Sequence, residues 1–345
     1  MEEEQLQDLI ESNKADLFSE IEKEISDDSI TDIEWDGYNL WITRLGRGCY
    51  ISMKELSDKY MDNLSIRLSN IMGVPFNRMH PVLEANTEAL RISIWHESRC
   101  KKKSMAIRKI PKKLRFNHTS VVQSGYAPER VLTLLENCVK AHLSTVIGGQ
   151  PHAGKTELLK YLSTFIPAEE KVGVYEDNQE IHYRDINPNN KCVEFFVDSR
   201  ITYQDIIRAG LRHNIDWILL SESRGPEVME LINSLSTGAY CMTTMHLDDV
   251  RDMPDRMYSM LGKENVSERF VNSIYKYIDL VILVECDRFE KRKITQVGFL
   301  NRCKGKNYCT VIYEDGEFTD SKIPDDIMEK FSRYGIEDPY IWRND

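Results

Sequence analysis

The sequence predicts an α/β protein of two domains, the larger one wound around a mostly parallel sheet. Three observations lead there. The chain has 345 residues, enough for two domains of ordinary size. Between residues 143 and 284 short apolar runs alternate with polar or helical stretches, the order of parallel strands joined by crossover helices. The first of those runs ends in Gly149-Gln150-Pro151-His152-Ala153-Gly154-Lys155-Thr156, a strand-turn-helix junction that satisfies G-x-x-x-x-G-K-[ST] at each fixed position.

Residues 1–28 hold eleven Asp/Glu against Lys14 and Lys23, which is −9 of the formal −11. Within them Leu6, Leu9, Ile10, Leu17, Phe18, Ile21 and Ile25 recur at steps of three or four, predicting an amphipathic helix with its acidic face in water. The same pattern also suits a docking element for a partner subunit.

Residues 29–116 mix alternating runs at Tyr38–Thr43 and Leu90–Trp95 with a helical stretch near Met53–Ile71, and form the smaller α/β domain. From Arg99 to Arg115 there are nine Lys/Arg and no Asp/Glu, flanking an expected strand at Ser104–Ile110. This run reads as a solvated hairpin or as a surface for an anion or an acidic partner. Residues 117–128 (NHTSVVQSGYAP) are polar, small and aperiodic and read as a linker.

Residues 129–345 form the larger domain. A helix opens near Pro128 with Val131, Leu134, Leu135, Cys138 and Val139 among its apolar positions. The strand Leu143–Gly148, the glycine-containing turn and the helix Thr156–Phe165 follow. Further strands are expected near Val172–Tyr175, Trp217–Leu220, Tyr240–Met245 and Leu280–Val284.

Composition excludes several classes. No run approaches the roughly eighteen uninterrupted apolar residues that span a membrane, and the start MEEEQ lacks a basic-then-apolar signal, so a cytosolic chain is expected. The eight cysteines are scattered with no C-x-x-C pair, which disfavours a zinc site and, in a chain of this size, a disulfide framework. Outside the acidic head the charge is close to neutral, so direct nucleic-acid binding is not expected.

An apolar strand leading in and a helix leading out aim backbone N–H groups and a helix N-terminus at phosphate oxygens. Gly149, Gln150, Pro151, His152, Ala153 and Gly154 make the loop. Lys155 should reach the outer phosphates and Thr156 should ligate Mg²⁺. ATP and Mg²⁺ are the expected ligands. No N-K-x-D is present to read guanine, and no L-S-G-G-Q of an ABC transporter. Downstream, one strand ends in Glu176-Asp177-Asn178-Gln179-Glu180, another in Ser221-Glu222-Ser223-Arg224-Gly225, and a third in Thr243-Thr244-Met245-His246. Open α/β sheets hold ligands at such strand ends.

With these motifs in this order the sequence resembles the secretion-motor ATPases of type IV secretion, conjugation, type II secretion and type IV pilus systems. That family carries a Walker A loop, here GGQPHAGKT (148–156), and an aspartate box E-D-x-x-E, here EDNQE (176–180). It also carries a Walker B of the form G-E-x-R-G-x-E, here SESRGPE (221–227), and a histidine box T-x-H, here TTMH (243–246). Asp205–Asp216 resembles the helix leading into Walker B, and Ser236-Thr237-Gly238 the S/N-T-G turn. Ile30–Gly37 and Ala106–Lys109 are looser matches in the smaller domain. The chain departs from the pattern with Ser221 for glycine and Asn214-Ile215 for R-P. It lacks a tetracysteine module, which favours the compact conjugation/secretion type or the tight-adherence pilus type.

The resemblance implies a RecA-like P-loop NTPase domain with a smaller α/β, PAS-like N-terminal domain. It further implies a cytoplasmic homo-hexameric ring, peripheral at the membrane through an inner-membrane platform or secretion-channel proteins, with ATP held between the two domains. Glu176 and Glu222 are the candidates to orient or deprotonate the attacking water, the other supporting Mg²⁺ through its shell; the sequence does not order them. His246 would sense the γ-phosphate. Arg108, with Arg91 as a weaker match, would approach it from the smaller domain, and Arg212 and Arg224 would reach across subunits. Two other readings use the same motifs: a RecA-like nucleic-acid motor and a nucleotide-bound scaffold without turnover.

Overall fold

Two sheets organise the chain into two compact units; among the described residues the first takes those up to Lys112 together with Asp287 and Lys291, and the second the rest. The computed structural model describes residues 14–87, 89–198, 200–262, 267–287 and 291–341.

In the first unit helices α1 (Lys14–Leu17) and α2 (Glu22–Ser26) precede strands β1 (Ile30–Trp35), β2 (Leu40–Arg44) and β3 (Gly48–Ile51). Helix α3 (Asp58–Met72) and strands β4 (Val82–Asn86), β5 (Leu90–Trp95) and β6 (Ser104–Lys109) complete it. The strands form an antiparallel sheet in the order β3-β2-β1-β6-β5-β4. Leu90, Ile92 and Ile94 of β5 are buried while Arg91 and Ser93 between them are half-buried, the period of two that turns one face inward. Helix α3 starts later than its apolar pattern because Ser57 caps it, accepting the Tyr60 N–H at 3.0 Å, and it ends at Gly73 with φ 64°.

The acidic head is not one continuous helix over its described part. A turn at 18–21 separates α1 from α2, and Leu17, Phe18, Ile21 and Ile25 all enter this unit's core. Leu6, Leu9 and Ile10 lie outside the described residues. The basic run meets acids from within the unit: Lys102 pairs with Asp58, Lys103 with Asp62 and Glu97, and Arg108 with Asp32.

The second unit opens with helix α4 (His118–Gln123), inside the stretch expected as a linker. Asn117 and Ser120 form a reciprocal capping box, and Val121, Tyr126 and Ala127 are buried in the core. Residues 117–128 are therefore packed structure; their short polar side chains serve caps, which the polar composition disguised. Then come α5 (Glu129–Lys140), β7 (Thr145–Gly148), α6 (Lys155–Ser163), β8 (Val172–Glu176), α7 (Tyr183–Ile186), β9 (Cys192–Phe196), α8 (Tyr203–Gly210), β10 (Trp217–Leu220), α9 (Glu227–Ser236) and β11 (Tyr240–Met245). Helices α10 (Met253–Ser259) and α11 (Glu268–Tyr277), strands β12 (Leu280–Cys286), β13 (Arg292–Cys303), β14 (Lys306–Glu314) and β15 (Glu317–Phe318), and helix α12 (Asp325–Arg333) end it.

Among the described residues the sheet order is β15-β14-β13-β12-β7-β11-β10-β8-β9. From β12 to β9 the neighbours are parallel, and β13, β14 and β15 extend the sheet antiparallel. Each residue of β7, β8 and β10 is buried, as expected of strands covered on both faces. The parallel register places the C-terminal ends of β7, β11, β10 and β8 side by side, and the functional motifs start there. Among the described residues no helix is long and apolar enough to cross a membrane.

Candidate functional site

The loop after β7 is shaped by what glycine alone permits. A Cβ on Gly148 would lie 2.8 Å from the Leu247 side chain. One on Gly149, at φ 151°, would lie 2.3 Å from the Val284 carbonyl oxygen. Gly154 has φ 91° and opens α6 with no side-chain cap, so the first amides of that helix stay available to an anion. Ala153 is buried; Gln150, Pro151 and His152 are exposed. His152 adopts φ 65°, and its carbonyl accepts from Arg292 Nε at 3.1 Å.

Lys155 begins α6 and is buried. Its ammonium donates to the carbonyls of Gly149 (2.9 Å) and Gln150 (3.0 Å) and lies 3.3 Å from His246 Nδ1. Burial pulls its pKa down to about 8, against the charges of Glu222 and Glu180, which favour the protonated form. A buried cation that donates to neutral carbonyls fits the outer phosphates of a nucleotide. Thr156 follows as the second residue of the helix, half-buried.

His246 and Glu222 meet beside this lysine. His246 Nδ1 lies 3.3 Å from the Gly149 carbonyl, and its Nε2 is 3.1 Å from Glu222 Oε1. The other Glu222 oxygen accepts from Arg224 Nη2 at 2.7 Å, and Arg224 Nη1 reaches Asp177 at 3.1 Å. Arg224 thus joins the aspartate box to Walker B within one chain. Hydroxyls stitch the neighbouring strand ends: Thr244 Oγ1 donates to the Ser221 carbonyl at 2.6 Å, and the Ser223 and Thr243 hydroxyls are 2.9 Å apart. Glu227 fixes the turn between them by accepting the Arg224 and Gly225 N–H groups at 2.7 and 2.8 Å. Ser221, in the usual glycine position, is accommodated with its hydroxyl 3.3 Å from that of Tyr203. Asn214, in place of arginine, takes φ 52°, a conformation that asparagine tolerates.

Glu176 is placed differently. It is buried, and its Oε1 accepts the N–H groups of Glu180 (3.0 Å) and Ile181 (2.9 Å). Burial pushes its carboxyl up to about 8 despite those two donors. The aspartate-box residue whose charge acts on Lys155 is instead the half-buried Glu180. The sequence reading passed over Glu180 as a site residue, although it is the second fixed glutamate of E-D-x-x-E. Arg212 is exposed on a short 3-10 turn after α8. In the first unit Arg91 and Arg108 are direct cross-strand partners on β5 and β6, and Arg108 Nε donates to Asp32 at 3.0 Å.

A family model described as "Type II/IV secretion system protein" matches residues 77–319, which include all four motifs. The chain belongs to the type II/IV secretion system protein family. An uncharacterized protein of Bacillus anthracis is 26% identical over 287 residues, covering 81% of this chain and 65% of that protein. The type IV secretion system protein VirB11 of Bartonella quintana (strain Toulouse) is 26% identical over 188 residues, 51% of each chain. The chain thus spans about two thirds and about half of these relatives' lengths. Among solved structures, the pilus retraction motor PilT with bound ADP aligns at TM-score 0.56 and 17% identity, covering 91% of this chain and 87% of that one. This is a likeness of fold, and it gives the secretion-family protein the expected α/β, RecA-like P-loop architecture with a smaller N-terminal unit.

Proposed function

We propose that this protein is a Mg²⁺-dependent ATPase, acting as a cytoplasmic homo-hexameric ring that powers assembly or transport in a type IV secretion, conjugation or type IV pilus-like system. The contact of Lys155, His246 and Glu222 on the glycine loop carries this reading: an ammonium, an imidazole and a carboxylate converge within hydrogen-bond reach at the strand ends. Phosphoryl transfer asks the protein for positioning and charge stabilisation, and these groups supply both. Gly149–Gly154 and the first amides of α6 hold the phosphates, Lys155 neutralises the outer ones, and His246 contacts the γ-phosphate.

Glu222 orients the attacking water, with Glu180 as the aspartate-box carboxylate that faces the phosphate side. Glu176, protonated at neutral pH and bonded to backbone amides, shapes the 176–181 turn and performs no proton transfer. Mg²⁺, held by Thr156 and phosphate oxygens and backed by Glu222, would neutralise charge that develops on the transferred group. Arg108 and Arg91 add cations from the smaller domain, and Arg212 acts at the subunit boundary, whereas Arg224, expected to reach across subunits, holds Glu222 and Asp177 of its own chain. The membrane partner is an inner-membrane platform or channel protein, and the ring lies peripherally on it.

ATP turnover measured with and without DNA, together with the mass in solution, tests this reading. Mg²⁺-dependent hydrolysis unaffected by DNA, in a particle of six chains, is expected. Turnover that requires DNA would replace it with a nucleic-acid motor. Nucleotide binding without turnover would replace it with a scaffold.

A further inference from the structure

The loop that follows the histidine box is anchored from behind by residues outside the four motifs. On its front side it touches the glycine loop three times. His246 Nδ1 is 3.3 Å from the Gly149 carbonyl, the Leu247 side chain fills the space a Cβ on Gly148 would need, and the Gln150 amide donates to Asp248. On its rear side Arg251 grips Glu314 of β14 with two parallel bonds, Nη1–Oε1 at 2.8 Å and Nη2–Oε2 at 2.9 Å. Nη1 also reaches Asp249 at 2.8 Å.

Gln296 of β13, the cross-strand partner of Glu314, uses both ends of its amide. Its oxygen accepts the Val250 N–H at 2.9 Å, and its nitrogen donates to Asp249 at 3.2 Å and to Glu314 at 3.1 Å. A glutamine in the buried stretch of this strand is explained by these three bonds. The guanidinium beside Glu314 holds that carboxyl below its ordinary value.

We propose that Glu314 and Gln296 are positioning residues for His246: through Arg251, Asp249 and the Val250 amide they lock the histidine-box loop to the β13–β14 strand pair. Bidentate guanidinium–carboxylate pairs fix angle as well as distance, and a network with shared partners holds geometry better than isolated bonds. A side chain that distinguishes phosphate states must be held to within about 0.5 Å. A seven-residue connection on its own does not provide that. The β13–β14 ladder does, so His246 and the strand pair move together. The inference rests on the ATPase reading for its catalytic consequence and on geometry alone for the anchor.

Full-length wild type, Glu314→Gln and Glu314→Asp test it. Hydrogen exchange of residues 246–252, measured without nucleotide, should accelerate about tenfold or more in Glu314→Gln while β7 and β10 stay protected. ATP turnover should fall about fivefold, with KM for ATP and affinity for ADP changed less than about twofold. Glu314→Asp should recover most of the rate, and adding His246→Ala to Glu314→Gln should cost no more than His246→Ala alone. Unchanged exchange in 246–252 would overturn the anchor. Faster exchange with an unchanged rate, or losses that multiply with His246→Ala, would overturn the positioning role. Absence of turnover in the wild type would strike the ATPase reading instead, leaving the exchange result to decide the anchor.

Discussion

The ends of β8 and β10 lie side by side, with Tyr175 opposite Leu220, and a glutamate emerges within two residues of each pairing. Glu176 stays inside, its oxygen bonded to two backbone amides and its carboxyl raised to about 8. Glu222 comes out beside His246 and the cations of Lys155 and Arg224. Equivalent places in a fold thus give their carboxylates different surroundings. The extra residue Ser221 makes the difference, carrying Glu222 past the strand end. Position on a strand nominates a carboxylate; the groups around its oxygens decide what it does.

Lys155 feels the charges of Glu222 and Glu180 from the glycine loop, and its removal should have the largest effect. Lys155→Ala should lower ATP turnover about a hundredfold or more while the thermal midpoint changes little, measured by phosphate release and calorimetry. Near-normal turnover would break the comparison at its root. Next in size, Glu180→Gln should cost about tenfold in kcat. That result would show that the aspartate box acts through its second glutamate, so a normal rate in this variant would return the role to Glu176.

The pH dependence of binding sharpens the contrast further. Lys155 has its pKa lowered to about 8 in the free protein, and bound phosphate raises it, so binding takes up a proton above that pH. ATP affinity should be flat below about pH 8 and weaken above it, by up to about tenfold per unit, with proton uptake visible in calorimetry across buffers. The smallest effect belongs to Glu176→Gln. Because the folded pKa is raised from 4.5 to about 8, the wild type loses stability as pH climbs through that window. The amide variant should therefore match the wild type near pH 4.5 and become the more stable one towards pH 8. A variant that grows less stable over that range would contradict a buried, protonated Glu176.

Much of this site was legible in the sequence because its parts are local. The Walker A loop carries its own strand, glycines and helix start, and each later motif sits where an apolar run stops. What escaped depends on distant partners. Glu176 and Glu180 are four residues apart, and only the turn at 176–181 shows which one is buried. The stretch 117–128 looked like a linker since its caps use the residues that linkers use. Strand β13 keeps residues 294–300 buried without alternation, so no period of two announced it, and the polar Thr295 and Gln296 break its apolar run, Gln296 bonding Val250 in another segment.

The most direct measurement of the central claim is ATP turnover of Glu222→Gln beside Glu176→Gln, each at saturating ATP and with nucleotide affinity determined separately. The account predicts that both variants bind ATP, that Glu222→Gln turns over about tenfold or more slowly, and that Glu176→Gln stays within about threefold of wild type. Equal losses in the two variants, or a larger loss in Glu176→Gln, would contradict it.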